Sequence, residues 1–228
     1  MGAYFIYNNI DSRNKGVVLK KLPPITKPRK KIELIEVPGR NGTLHIDEEC
    51  YEPIRISLEC ELKKNIDPRS IIEWLQEFGT ITFSDEPDKY YDATIINSIP
   101  LSRVFRIYRS FIIQLELQPI AQSIQEYTYN CNNTNSNTLN ISCSAEMYPY
   151  IKLTGSGNVQ LNINGKICNV NIDDGYIEID SNLQNAFKGT TPKNDKMNGE
   201  FPVLVPGNNT IQITGSATMQ MKYRKAYV

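Results

Sequence analysis

Residues able to do chemistry are few, and their spacing does not suit it. The single histidine, His45, stands in Thr43-Leu44-His45-Ile46-Asp47. Without a second histidine the chain has neither a two-histidine metal site nor an imidazole acid–base pair, so a sheet residue satisfied by its neighbours is expected. Cys50, Cys60, Cys131, Cys143 and Cys168 form an odd set with no Cys-x-x-Cys pair. That suggests neither a disulfide framework nor a zinc knuckle, and the cysteines read as small buried hydrophobes. Asp85, Glu86, Asp88 and Asp92 carry oxygens suited to calcium, but their order does not follow the EF-hand loop, and a polar hairpin tip is expected instead. Asp173 and Asp174 before Gly175 read as turn formers, and Glu178 and Asp180 as the outward positions of a strand. There is no Gly-x-Ser-x-Gly elbow and no phosphate-binding Gly-x-x-x-x-Gly-Lys, and Gly155-Ser156-Gly157 lacks the third glycine and the helix of a dinucleotide loop. The expectation is no catalytic residue, no metal ligand and no cofactor, hence no enzyme.

The elements that would position these groups are mostly strands. Ile54, Ile56, Leu58, Cys60 and Leu62 alternate with Arg55, Ser57, Glu59 and Glu61, which predicts a strand packed on one face and wet on the other. Ahead of it, Pro38-Gly39 suits the centre of a type II turn and Asn41-Gly42 a type I′ turn, after the apolar stretch Ile32-Glu33-Leu34-Ile35; a projecting loop or hairpin is expected there. One helix is predicted at about 68–78. Asp67 caps it, Pro68 takes its first position, Gly79 ends it, and Ile71, Ile72, Trp74, Leu75 and Phe78 form the stripe that covers a sheet. Strands are predicted at Thr80–Phe83, Tyr90–Ile96 and Phe111–Leu117.

Asparagines crowd with Ser and Thr over 126–146, among them Asn130, Asn133 and Asn135, which reads as a linker or crossing loop between a domain at 1–125 and one at 147–228. Beyond it Asn164-Gly165, Asp174-Gly175, Asn198-Gly199 and Pro206-Gly207 punctuate alternating runs, as in short antiparallel strands of a β-sandwich. The fold class is therefore mainly β: a barrel- or sandwich-like N-terminal domain with one helix, then an all-β domain.

Composition narrows the partners. Lys+Arg and Asp+Glu are 25 each in 228 residues, so the chain lacks the basic footprint of a nucleic-acid binder, and no sequence-specific nucleic acid is expected. Lys27 to Lys31 and the triplet-spaced Arg103, Arg106 and Arg109 read as solvated faces or subunit salt bridges. No apolar run reaches the roughly 18 residues of a membrane span, so no membrane insertion is expected, and the start Met1-Gly2-Ala3-Tyr4-Phe5-Ile6 has no secretory pattern, which points to synthesis in a cytoplasm. Tyr90, Tyr91, Tyr148 and Tyr150 are candidates for glycan stacking or protein contacts.

Four stretches in order along the chain resemble the distal tail protein family of long-tailed bacteriophages, found in phages and prophages of Gram-positive bacteria. They are Val37-Pro38-Gly39-Arg40-Asn41-Gly42-Thr43-Leu44 with the strand after it, Phe83-Ser84-Asp85-Glu86-Pro87-Asp88-Lys89-Tyr90-Tyr91, Asp174-Gly175-Tyr176-Ile177-Glu178-Ile179-Asp180, and Phe201-Pro202-Val203-Leu204-Val205-Pro206-Gly207-Asn208-Asn209-Thr210-Ile211. The resemblance implies a homo-oligomeric ring, commonly a hexamer, built from the N-terminal domain, and a galectin-like C-terminal β-sandwich pointing outward. It further implies that the ring joins the tail tube protein to the tail-tip protein and to receptor-binding proteins, at the tail tip of a virion, the protein being synthesised in the host bacterial cytoplasm. On this reading Pro38, Gly39, Arg40, Asn41 and Gly42 reach a neighbouring subunit, while Arg55, Glu59 and Glu61 line or border the lumen. The alternative is a carbohydrate-binding β-sandwich acting in host-surface adhesion. Against inherited galectin chemistry, residues 121–228 hold no histidine, no tryptophan and only Arg224 as arginine.

Overall fold

A computed structural model describes residues 2–63, 66–99, 109–132 and 136–228, without the side chain of Arg109. Residues 1–121 with Val228 make one compact unit and residues 122–227 a second.

In the first unit seven strands pair antiparallel in the order Ile10–Asp11, Phe5–Tyr7, Phe78–Phe83, Lys89–Ile95, Arg109–Leu117, Ile54–Leu62, Val17–Leu19. The first and last strands of that order are consecutive in the chain, joined by a turn in which the Val17 N–H donates to the Ser12 carbonyl at 2.9 Å. The sheet therefore curls until its edges meet, as in a barrel. Its inside is filled by Phe5, Tyr7, Leu58, Cys60, Leu62, Ile81, Ile113 and Leu115, so the alternation of 54–62 puts its apolar face on this core.

The helix plugs one side of the curl, and it is shorter than the sequence suggests: it spans Pro68–Trp74, with Asp67 accepting from the Arg69 N–H at 3.0 Å. The Trp74 ring stacks on Phe5 at 5.8 Å between centroids, meets Tyr7 edge-on, and its indole N–H donates to the Tyr7 carbonyl at 3.1 Å. The helix stops where Leu75 leaves helical geometry, at ψ 75°, and tertiary partners hold the chain that follows. The Tyr7 hydroxyl donates to Gln76 O at 2.6 Å and the Ile95 N–H to Glu77 O at 2.8 Å, which draws the chain into the strand beginning at Phe78. Gly79 is consequently a strand residue, not a helix cap. Its missing side chain makes room for Asn8, whose Oδ1 accepts from the Thr80 N–H at 2.9 Å and occupies the place of a Cβ. Two residues of the predicted stripe, Ile72 and Phe78, face solvent, at 56% and 69% exposure.

The second unit is organised by two long strands, Tyr150–Ile163 and Gly207–Tyr227, where the sequence suggested only short ones. They pair with each other on both sides of a register break between Ser156 and Gln160. Before the break the first strand also pairs with Tyr176–Asp180, and after it with Lys166–Ile172. One bent pair thus feeds both sheets of a β-sandwich, with Leu153, Ile177, Ile179 and Met221 buried from one and Leu161, Cys168, Val170 and Ile213 from the other. Glycine is required at the bend. Gly215 sits at φ +115° with the Asn158 carbonyl 2.6 Å from where a Cβ would lie, and Gly155 lies against the Ser216 carbonyl. That explains the Gly155-Ser156-Gly157 sequence without any ligand.

The expected linker at 126–146 is not a linker: Ala121–Cys131 and Asn137–Ile141 are strands. Its asparagines conceal a period of two. Tyr127 stacks on Tyr223 at 5.6 Å and Ile141 is buried, while Asn130 and Asn140 point outward; Asn133 and Asn135 lie outside the described residues. Asn209 is fully buried, and its amide closes the preceding turn by accepting from the Val205 N–H and donating to the Val205 carbonyl, both at 2.8 Å.

Gly157 is also at positive φ, but in open space, so Gly157→Ala is expected to cost about 1 kcal/mol. Gly215→Ala, which additionally meets a carbonyl, is expected to cost about 3 kcal/mol. Thermal melts should show a clearly larger loss for the second variant, and equal losses would contradict the proposed bend.

Candidate functional site

The predicted hairpin forms, as a two-stranded sheet of its own from Lys30–Glu36 and Thr43–Tyr51. The Arg40 N–H donates to the Val37 carbonyl at 3.1 Å and Gly39 has φ +81°, which is the type II turn expected at Pro38-Gly39. Asn41 does not take the positive φ of a type I′ turn; only Gly42 does, at +82°. Pro38, Gly39, Arg40, Asn41 and Gly42 are all exposed at the tip.

The register fixes which side chains share a face. Ile32 and Leu34 lie opposite Asp47 and His45 on one face; Glu33 and Ile35 lie opposite Ile46 and Leu44 on the other. Both faces are therefore partly apolar, and neither is covered. Ile32, Leu34, Leu44 and Ile46 are exposed, Leu34 at 60%. Sequence reasoning missed this, although the adjacent pair Leu34-Ile35, which breaks the alternation, was the available signal.

Charge sits at the base of the hairpin. Lys30 Nζ lies 2.5 Å from Asp47 Oδ2 and Lys31 Nζ 2.6 Å from Glu48 Oε2, which uses up two residues of the basic run. The Lys30 ammonium holds the Asp47 carboxyl below the usual carboxylate range, and Glu48 raises the Lys31 ammonium. His45, also on the hairpin, has its Nε2 3.1 Å from Thr43 Oγ1.

Arg55, Glu59 and Glu61 share the outer face of the strand 54–62, as their spacing predicts. Arg55 Nε is 2.9 Å from Glu116 Oε2, its register partner, and Glu61 Oε1 is 3.3 Å from Lys20 Nζ. Glu59 lies opposite the exposed Ile112. Arg103 and Arg106 lie outside the described residues, as does the side chain of Arg109.

The remaining candidates take structural places. Glu86 pairs with Lys89 at 2.7 Å and accepts from the Tyr91 hydroxyl at 3.3 Å, at the tip between strands 78–83 and 89–95. Burial raises the Asp92 carboxyl. Cys60, Cys131 and Cys168 are buried; desolvation pushes the Cys60 thiol up to about 12 and the Cys168 thiol to about 11, the opposite of nucleophile activation. Cys50 is exposed on the hairpin and Cys143 half-buried. Tyr148 is half-exposed, whereas the Tyr150 hydroxyl is held by Glu178 Oε1 at 2.6 Å and its ring lies 6.3 Å from Phe187.

Residues 12–117 match the family of the phage tail protein RIFT-related domain. No curated protein matches the chain in sequence. Among solved structures it is similar to the Dit protein (gp 19.1) of SPP1, reported as a paradigm of the hub adsorption apparatus in Gram-positive infecting phages. The TM-score is 0.78 with all of both chains covered, at 14% identity. At that identity the likeness is one of fold, and it agrees with the mainly β architecture of the described residues. Residues 12–117 thus match the phage tail protein RIFT-related domain family, and the chain as a whole shares the fold of the SPP1 Dit protein.

Proposed function

We propose that this protein is a hub subunit at the distal end of a phage tail, where copies close head to tail into a hexameric ring. The ring joins the tail tube protein to the tail-tip protein and to receptor-binding proteins, as scaffold and without catalysis. The observation that carries this reading is the hairpin 30–51, whose apolar side chains are uncovered on both faces. A soluble monomer gains nothing from such a ribbon, whereas a neighbouring copy that covers it gains its apolar area. In the ring, Pro38 to Gly42 touch the adjacent subunit.

The face bearing Arg55, Glu59 and Glu61 borders the lumen. Among the described residues its cations Arg55 and Lys20 are each paired with a carboxylate, which leaves Glu59 there as surplus negative charge. Such a near-neutral to acidic wall lets DNA pass without binding its phosphates.

Native mass across a wide concentration range tests the ring. The full chain is expected to reach a closed oligomer of six. A variant with 32–46 replaced by a short Gly/Ser turn is expected to stay monomeric with an unchanged melting temperature, since the hairpin contributes no core residue. A ring that survives the deletion would contradict the role of the hairpin. For the lumen, Glu59→Lys with Glu61→Lys in assembled tails should slow DNA ejection; an unchanged rate would remove that face from the lumen.

A further inference from the structure

Three Asn-Gly pairs punctuate the chain, Asn41-Gly42, Asn164-Gly165 and Asn198-Gly199, and the fold treats them differently. Asparagine before glycine carries a reaction of its own: the following backbone nitrogen can close on the side-chain carbonyl carbon, because glycine has no side chain in the way. Closure needs that nitrogen free of a hydrogen bond and a backbone able to bend the side chain onto it. Asn164 has neither freedom. Its Nδ2 donates to Asn209 Oδ1 at 2.8 Å, its Oδ1 accepts from the Thr210 N–H at 2.9 Å, and the Gly165 N–H donates to Asn162 Oδ1 at 3.0 Å. Asn198 is fixed in the strand Met197–Gly199 opposite Asn169, and the Ile167 carbonyl lies against Gly199. A ladder residue of that kind points its side chain off the sheet, away from the next backbone nitrogen. Asn41 and Gly42 sit instead in the exposed tip between the two hairpin strands, and among the described residues neither the Asn41 amide nor the Gly42 N–H has a hydrogen-bond partner. Beyond its chain neighbours no atom lies within 4 Å of where a Gly42 Cβ would be, so the approach is open.

We propose that Asn41 is a self-modification site, which converts in the free chain and so marks subunits that have not been built into a tail. The Gly42 nitrogen attacks Asn41 Cγ. The N–Cγ bond forms, the Cγ–Nδ2 bond breaks, and ammonia leaves with the proton given up by the Gly42 N–H, which closes a succinimide ring. Water then opens the ring. Addition at Cγ restores the original main chain with aspartate at 41, whereas addition at the backbone carbonyl carbon of residue 41 gives isoaspartate, with the main chain rerouted through Cβ and Cγ. Either product puts a carboxylate beside Arg40 in place of a neutral amide, and water is the only co-reactant. Isoaspartate also lengthens the main chain of a tip whose ends are fixed by the Glu36–Thr43 register pair, so the turn must change shape. The chemistry stands on the geometry of the tip alone, while the marking role rests on the reading that the tip touches an adjacent copy. A tip of altered charge and shape fits that contact less well.

The test holds the native full chain dilute at mildly alkaline pH, samples it over days, and reads each asparagine by peptide mass spectrometry, with enzymatic carboxyl methylation to reveal isoaspartate. Asn41 should convert about tenfold faster than Asn164 or Asn198, because each of those must first open locally, and in urea all three should convert at comparable rates. If Asn41 converts no faster than the other two in the native chain, the site is overturned. Gly42→Ala should slow conversion about tenfold by crowding the attacking nitrogen, and an unchanged rate would overturn ring closure through Gly42. For the marking role, a half-converted sample is concentrated until it assembles and the oligomer is separated from the monomer. Converted chains should be enriched about tenfold in the monomer fraction. Equal content in the two fractions overturns the marking role and leaves the chemistry standing. Unconverted chains that never close into an oligomer defeat the ring reading itself, and the marking role with it.

Discussion

A two-stranded ribbon standing clear of its parent sheet buries nothing by itself, because each strand satisfies only one edge of the other and neither face has a second layer. Here that ribbon carries Ile32, Leu34, Ile35, Leu44 and Ile46 distributed over both faces. Apolar side chains in such a place are a standing cost in water unless another surface meets them, and every functional reading of the chain follows from how that cost is removed. The charged pairs at the base and the type II turn at the tip define the ribbon's two ends, and the exposed stretch between them mixes these apolar side chains with Glu33 and His45.

The body that carries the ribbon is built to hold its outer surfaces still. The curled sheet of the first unit closes on a core plugged by Trp74, which is packed on Phe5 and Tyr7 and hydrogen-bonded through its indole. Because the strand 54–62 is pinned on its inner face by Leu58, Cys60 and Leu62, its outer face presents Arg55, Glu59 and Glu61 in fixed order. The second unit solves a different problem, feeding two sheets from one bent strand pair, and its glycines at 155 and 215 serve that bend. Two of its carboxylates are likewise committed to structure, Glu178 to the Tyr150 hydroxyl and Asp173 to Lys193.

Much of this was legible in the residues. Period-two alternation located the strand 54–62 and its wet face, and Asp67-Pro68 located the start of the helix, because both signals are local. What failed depended on partners distant in sequence. Gly79 looked like a helix cap because nothing nearby reveals that Asn8 needs its space. The stretch 126–146 looked like a linker because asparagine is usually a turn residue, and only the stacking of Tyr127 on Tyr223 shows that the outward positions alone are polar. Ile72 and Phe78 looked like core residues because a helical stripe specifies a face and not what covers it. The four stretches that resemble tail proteins are largely turn chemistry, and the structure gives one of them a cause: buried Asn209 closes the turn at 205–207.

The most direct measurement is amide hydrogen exchange over residues 30–51, taken on the dilute chain and again on the assembled oligomer or the intact tail. The account predicts fast exchange of the outward-facing amides of both hairpin strands in the dilute chain, and strong protection of the same amides after assembly. Equal exchange in the two states would mean that nothing covers the ribbon, and would contradict the claim that it is the contact on which the ring is built.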